Sequence, residues 1–269
     1  MWLIFNGLNR PFCFAGNLWY VFFRKGKVMI LKIRYLLFLT ILFCCFNVVQ
    51  AKNFYMNQNG VNFTSQEYDF ISKIFYDGFQ DIMNLDDYNK IFENNTIDGE
   101  IKTITYEPYV NNATRGTTYE TASKRLTIVT VCSSTCLVTM NAVWTASPNV
   151  RSYDVIGAYL DGVELYNTPT TTVANSTGSN RSDELLEKTN GFGVSIKLLT
   201  SGNDMQVSQY YRVTTGGHVY ASYQHAKRTI SLANSKKYDI SRSGYGGVFL
   251  FNSGYSDYYD AMRGVDIAV

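Results

Sequence analysis

The 269-residue sequence predicts a mainly β protein, an antiparallel β-sandwich or jelly-roll-like domain carrying an N-terminal helical segment. Three observations carry that prediction. From Glu100 onward, apolar and polar side chains alternate with period two, the repeat of a half-buried strand. Asp161-Gly162, Asn190-Gly191, Gly202-Asn203 and Gly216-Gly217 punctuate the alternation where antiparallel hairpins would turn. No long helical pattern separates the strands, as a parallel α/β sheet would require.

From the N-terminus, residues 1–51 read as an export signal to be removed. Met29 is the expected start: Lys32 and Arg34 supply a basic n-region, Tyr35 to Phe46 an apolar stretch, and Val49-Gln50-Ala51 a small-residue cleavage site. Stretched to Val49, the apolar run is still shorter than the roughly 20 residues a spanning helix needs. No stable membrane span is therefore expected after cleavage. Residues 1–28, with their apolar patch around Trp19 to Phe23, are assigned to an extension before that start.

Residues 52–99 form the expected helical segment. Thr64 with Glu67 three residues on makes a capping box, with Phe63 before the cap placed to pack on Tyr68. Ile71, Ile74, Phe75, Gly78, Phe79 and Ile82 then share one face, which must be buried against the β domain. Leu85 to Phe92, with Asp86 and Asp87 near its start, reads as a second short helix.

Residues 100–269 form the β domain. Its expected strands are Ile101 to Tyr106, the two arms of Lys124 to Thr145, Arg151 to Leu160, Val163 to Tyr166, Phe192 to Leu199, Met205 to Val213, Val219 to Tyr223, Thr229 to Leu232, Tyr238 to Ser241 and Gly247 to Phe251. Thr168 to Ser182, rich in Ser, Thr and Asn, is expected to be a mobile surface loop, with one helical turn after it over Asp183 to Lys188.

Cysteine usage agrees with export. Three of the five cysteines precede residue 52, and the remaining Cys132 and Cys136 flank a three-residue loop at the tip of a hairpin, where they are expected to form a disulfide. Their C-x₃-C spacing, with no second ligand pair, argues against a metal site.

Charge sets the partner class. Six of the 24 basic residues and no acidic residue lie in positions 1–51, so the remainder carries 18 basic against 22 acidic residues, a net −4. A mildly acidic chain without a basic cluster is not expected to bind nucleic acid.

The motifs of hydrolytic chemistry are missing. No G-x-S-x-G or H-E-x-x-H occurs, and His218 and His225 read as solvated strand-end residues, so no cofactor or metal is expected. Asp257, Asp260 and Asp266 are the candidate catalytic residues for a secreted glycan-active hydrolase, because two carboxyl groups suffice for that reaction. Tyrosine is abundant, and adjacent pairs within strands must point to opposite faces. Tyr210, Tyr220 and Tyr258 are thus the candidate ligand-binding residues, flat faces with polar tips suited to sugar rings or protein epitopes.

Arg151-Ser152-Tyr153-Asp154-Val155-Ile156-Gly157 and Val219-Tyr220-Ala221-Ser222-Tyr223-Gln224-His225-Ala226 resemble stretches in uncharacterised secreted bacterial β-rich proteins. The resemblance implies a bacterial, extracellular protein and transfers no functional residue. The reading that follows is a non-enzymatic binding or adhesion module for a glycan or a cell-surface protein. The alternatives are the hydrolase and a β pore-former whose Ser/Thr-rich loop inserts as a hairpin.

Overall fold

The structure is a computed structural model and describes residues 21–24, 27–30, 54–93, 97, 99–106, 123–242, 249–260 and 265–269. The chain divides into two units, Met1–Lys52 and Asn53–Val269. In the first, β1 (Val21–Arg24) pairs antiparallel with β2 (Lys27–Ile30). The expected signal stretch Tyr35 to Phe46 and the cleavage site lie outside the described residues.

The second unit opens with a small hairpin, β3 (Phe54–Met56) and β4 (Asn62–Thr64), where a helix is expected from the sequence. Helix α1 (Ser65–Ile74) starts at the predicted box: Glu67 N–H donates to the Thr64 hydroxyl, and Thr64 N–H to the Glu67 carboxylate. The helical stripe does not run on to Ile82. Gly78 takes φ 86°, a left-handed conformation that glycine adopts without steric penalty. A short α2 (Phe79–Ile82) follows, and then α3 (Leu85–Phe92), started by a second capping box between Asn84 and Asp87.

The β region builds two antiparallel sheets. The first has the order β10 (Gly178–Ser182), β9 (Thr170–Asn175), β13 (Gln206–Val213), β7 (Cys136–Trp144), β6 (Lys124–Cys132) and β5 (Glu100–Tyr106). The second has the order β11 (Leu185–Lys188), β12 (Gly191–Lys197), β8 (Tyr153–Asp161), β14 (His218–Gln224) and β17 (Val265–Ala268). The β6–β7 hairpin pairs Cys132 with Cys136, and a disulfide joins them as expected.

Alternation decides what each face buries. Leu126, Ile128, Val138, Met140, Val207 and Tyr211 of the first sheet point inward against Ile156, Ala158, Phe192, Val194, Val219 and Tyr223 of the second, forming the sandwich core. The outer face of the first sheet carries Val129, Val131, Leu137 and Tyr210, which pack with Phe70, Ile71, Ile74, Phe75 and Phe79 of the helical segment. Polar groups of the same face finish the helices. Thr139 and Asn141 both donate to the Ile74 carbonyl at the end of α1, and Arg212 donates to the Ile91 and Glu93 carbonyls at the end of α3. On the outer face of the second sheet, Val155 and Tyr220 cluster with Ile230 and Tyr259 and with the hairpin β15 (Tyr238–Ile240) and β16 (Phe249–Phe251).

Several local expectations are corrected. Thr168 to Ser182 is not a loop but contains β9 and β10, joined by a turn at Ser176-Thr177, because a run of β-branched threonines fits a pleated, buried surface. Thr171 is fully buried and accepts from Gln209. Asp183 to Lys188 contains strand β11 rather than a helical turn. Thr229 to Leu232 is no strand; Ser231 instead caps the short helix α4 (Leu232–Ser235). Val163 to Tyr166 contributes a single bridge, Leu165 to Val213.

Candidate functional site

The β9–β10 hairpin stands beside the helical segment, and two adjoining cavities lie along it. One, of about 420 Å³, is lined by Asn59, Asn84, Thr172, Asn180 and the apolar Phe79, among others. The second, of about 520 Å³, is lined by Tyr76, Asn175, Ser176, Asp204 and Gln206, among others. Ile82 and Ser179 border both, so the two adjoin along one groove-like face between the hairpin and the helical segment.

A buried carboxylate holds the groove wall in place. Asp87, placed by the capping box of α3, accepts from its own helix start at Asn84 N–H, from Arg181 of β10 and from the hydroxyl of Tyr210 of β13. It thereby ties helix, hairpin and sheet to one point. Burial, and then the Asp87 charge and hydrogen bond, push the Tyr210 phenol well above its ordinary pKa. Burial works against the Arg181 charge, yet the hydrogen bond and charge of Asp87 outweigh it and leave that guanidinium above its ordinary value.

Two polar atoms in the groove lining have no partner. The Tyr76 hydroxyl and the Gln206 side-chain carbonyl are buried without a hydrogen bond among the described residues. Tyr76 is 9% exposed, and burial followed by the charge of Asp87 pushes its phenol upward, so it remains a donor. A buried donor or acceptor left unsatisfied costs about 1–3 kcal/mol. Both residues line the second cavity, their two polar atoms closed to solvent in the free protein; a donor and an acceptor are complementary to a hydroxyl, which both accepts and donates.

The sequence-predicted residues do not gather there. Tyr210, expected on an exposed face, is 2% exposed: Phe75 and Phe79 meet its ring edge-on, because the helices cover that side of the sheet. Its part is to hold Asp87. Tyr220 is also buried, on the opposite outer face, with the Arg242 guanidinium 4.5 Å from its ring centroid. Tyr258 stays half-buried, next to Tyr255 and under Arg228.

The three carboxylates differ in setting, and Asp260 and Asp266 lie far apart. Asp257 is exposed in a 3₁₀ turn, and Asp266 is exposed on β17, 2.9 Å from His218 Nδ1. Asp260 is buried and accepts from the backbone N–H of His225, just past the end of β14, whereas Asp266 pairs with Tyr220 in register. Five residues of strand separate those points, about 16 Å at ~3.3 Å per residue. The carboxyl pairs of glycosidases stand about 5–9.5 Å apart.

Asp260 belongs instead to a buried polar cluster at one end of the sandwich, where inward-facing positions end in Lys124, Trp144, Asp154 and Tyr223. Lys124 Nζ lies 2.5 Å from Asp260, with neither side chain more than 1% exposed. His225, read from sequence as solvated, is buried there with Nδ1 2.9 Å from Asp154. The Tyr223 hydroxyl donates to Asp154. Removing such ions from water carries a penalty of several kcal/mol each, which only close pairing offsets.

Among the described residues no group of three or more His, Cys, Asp or Glu is placed to hold a metal ion, and no helix is long and apolar enough to cross a membrane. No protein family and no curated protein matches the chain. Among solved structures, the pilus backbone protein of Streptococcus pneumoniae aligns at 12% identity and a TM-score of 0.26, covering 35% of this chain and 25% of that one. At that score the likeness carries no argument about function.

Proposed function

We propose that the protein is an exported, non-enzymatic bacterial binding module that recognises a glycan in the groove between the β9–β10 hairpin and the helical segment. The carrying observation is the pair of buried, unpartnered groups in its lining, the Tyr76 hydroxyl and the Gln206 carbonyl. A sugar hydroxyl supplies the complement of both. Around them, Asn175, Ser176, Asn180 and Asp204 offer further amide, hydroxyl and carboxylate partners. Phe79 and Ile82 give the apolar patches on which ring C–H groups rest.

Export is supported by the signal-like residues 29–51 and by the Cys132–Cys136 disulfide, a bond that persists in oxidising compartments. Against the hydrolase reading, Asp260 is paired with Lys124, and Asp266 lies on β17 opposite Tyr220 of β14. The pore-forming reading loses its free hairpin, since β9 is an interior strand between β10 and β13.

The test is binding of the chain from Lys52 to Val269 to an array of glycans and cell-wall polysaccharides, with release of product assayed in the same wells. Retention without product is the expected result. Product release, or no retention on any saccharide, would overturn the reading.

A further inference from the structure

We propose that Lys124 and Asp260 become joined by an intramolecular amide bond, Nζ to Cγ, which covalently ties strand β6 to the C-terminal segment. The two side chains are 136 positions apart in sequence, so only the folded chain brings them together. Their placement is that of reactants. Nζ is 2.5 Å from Oδ2, and both groups are closed off from solvent, which holds the pair together and keeps competing water away.

The two carboxyl oxygens of Asp260 are distinguished from each other. Oδ2 faces the amine, while Oδ1 accepts the His225 backbone N–H at 2.7 Å. As Nζ adds to Cγ, negative charge develops on Oδ1, where that N–H already points; a fixed donor of this kind stabilises a tetrahedral intermediate. The donor is itself fixed. His225 Nδ1 lies 2.9 Å from Asp154 Oδ2, and the next backbone N–H, of Ala226, donates to Asp154 Oδ1 at 2.9 Å. Asp154 is therefore a positioning residue, acting through the segment that holds Asp260.

The surroundings favour a neutral product. The Lys124 Nζ stands 5.0 Å from the Tyr223 ring centroid and 5.9 Å from that of Trp144, between aromatic walls. In the first step one ammonium proton passes to Oδ2, giving a neutral amine and a neutral acid. The amine then adds to Cγ, a second nitrogen proton moves to the same oxygen, the Cγ–Oδ2 bond breaks and water leaves. Nitrogen has lost two protons, both carried off in that water, so the step consumes no oxidant, nucleotide or metal. One cation and one anion disappear together from a site that solvates neither well.

The experiment is mass spectrometry of the full chain, denatured and with its disulfide reduced, followed by proteolytic mapping. The expected result is a mass lower by one water and a branched peptide containing both Lys124 and Asp260. Asp260→Asn should give the same branched peptide with loss of ammonia in place of water, and Lys124→Arg should restore two separate peptides. Separate, unmodified Lys124 and Asp260 peptides from the wild-type chain would overturn the proposal, whether or not either variant folds.

Discussion

Tyr210 and Tyr211 are consecutive residues of β13, yet each is buried in a different core. Tyr211 points into the sandwich, where its ring meets Phe192 edge-on, and Tyr210 points out beneath the helices to donate to Asp87. One strand thereby joins both layers, and the second layer forms one wall of the groove.

The two hydroxyls should therefore differ in weight. Tyr210→Phe removes one of three donors to a buried carboxylate and is expected to lower stability by about 1–3 kcal/mol. Tyr211→Phe removes only a contact to the Met140 sulfur at 3.6 Å and should cost less than about 1 kcal/mol. Urea titration of both variants measures the difference.

The capping box that starts α1 makes its own prediction. Thr64→Ala leaves the Glu67 N–H without its acceptor and is expected to lower the unfolding free energy by about 1 kcal/mol. Calorimetry on that variant, beside an exposed control such as Ser72→Ala, checks it.

Alkaline pH should unfold the protein. Burial and the hydrogen bond from Tyr88 to Glu67 push that phenol up to about 12, and Tyr76, Tyr210, Tyr211, Tyr238 and Tyr259 are raised as well. The folded state keeps these protons after the unfolded chain, at its ordinary value of 10.0, begins to release them. Their contribution is thus complete below pH 10.0 and is lost as pH rises from there through 12 and beyond. Stability measured by denaturant across that range, with tyrosinate absorbance read in parallel, should fall as tyrosinate appears; a flat profile would contradict it.

Reduction of the Cys132–Cys136 disulfide should leave the fold intact. The bridge closes a loop of about five residues, which on chain-entropy grounds stabilises by about 2 kcal/mol. A midpoint shift of that order under reductant, with unchanged far-ultraviolet dichroism, is the expected outcome.

Strands β5, β8, β12, β13 and β14, the β6–β7 hairpin with its disulfide and the start of α1 were legible because each is written locally, in alternation, turn residues or a four-residue box. The β9–β10 hairpin was hidden because threonine runs look polar by composition while their branched side chains suit a buried strand. The groove could not be read because it needs Tyr76, Gln206 and Asn180 brought together by a fold, as Lys124, Asp154 and Asp260 are at the end of the sandwich. Burial of Tyr210 depended on which sheet face the helices cover, and alternation along a strand cannot say that. The short-range signal that Asp87 mattered was present as Asn84 and Asp87 at capping-box spacing, ahead of an amphipathic turn.

The most direct test of glycan recognition in this groove is a binding titration of wild type and Tyr76→Phe against the saccharide best retained on an array. Removal of one hydroxyl, with the ring kept, should weaken binding by roughly 3- to 10-fold while leaving the unfolding midpoint unchanged or higher. Equal affinity of the two proteins would place recognition elsewhere and contradict the account.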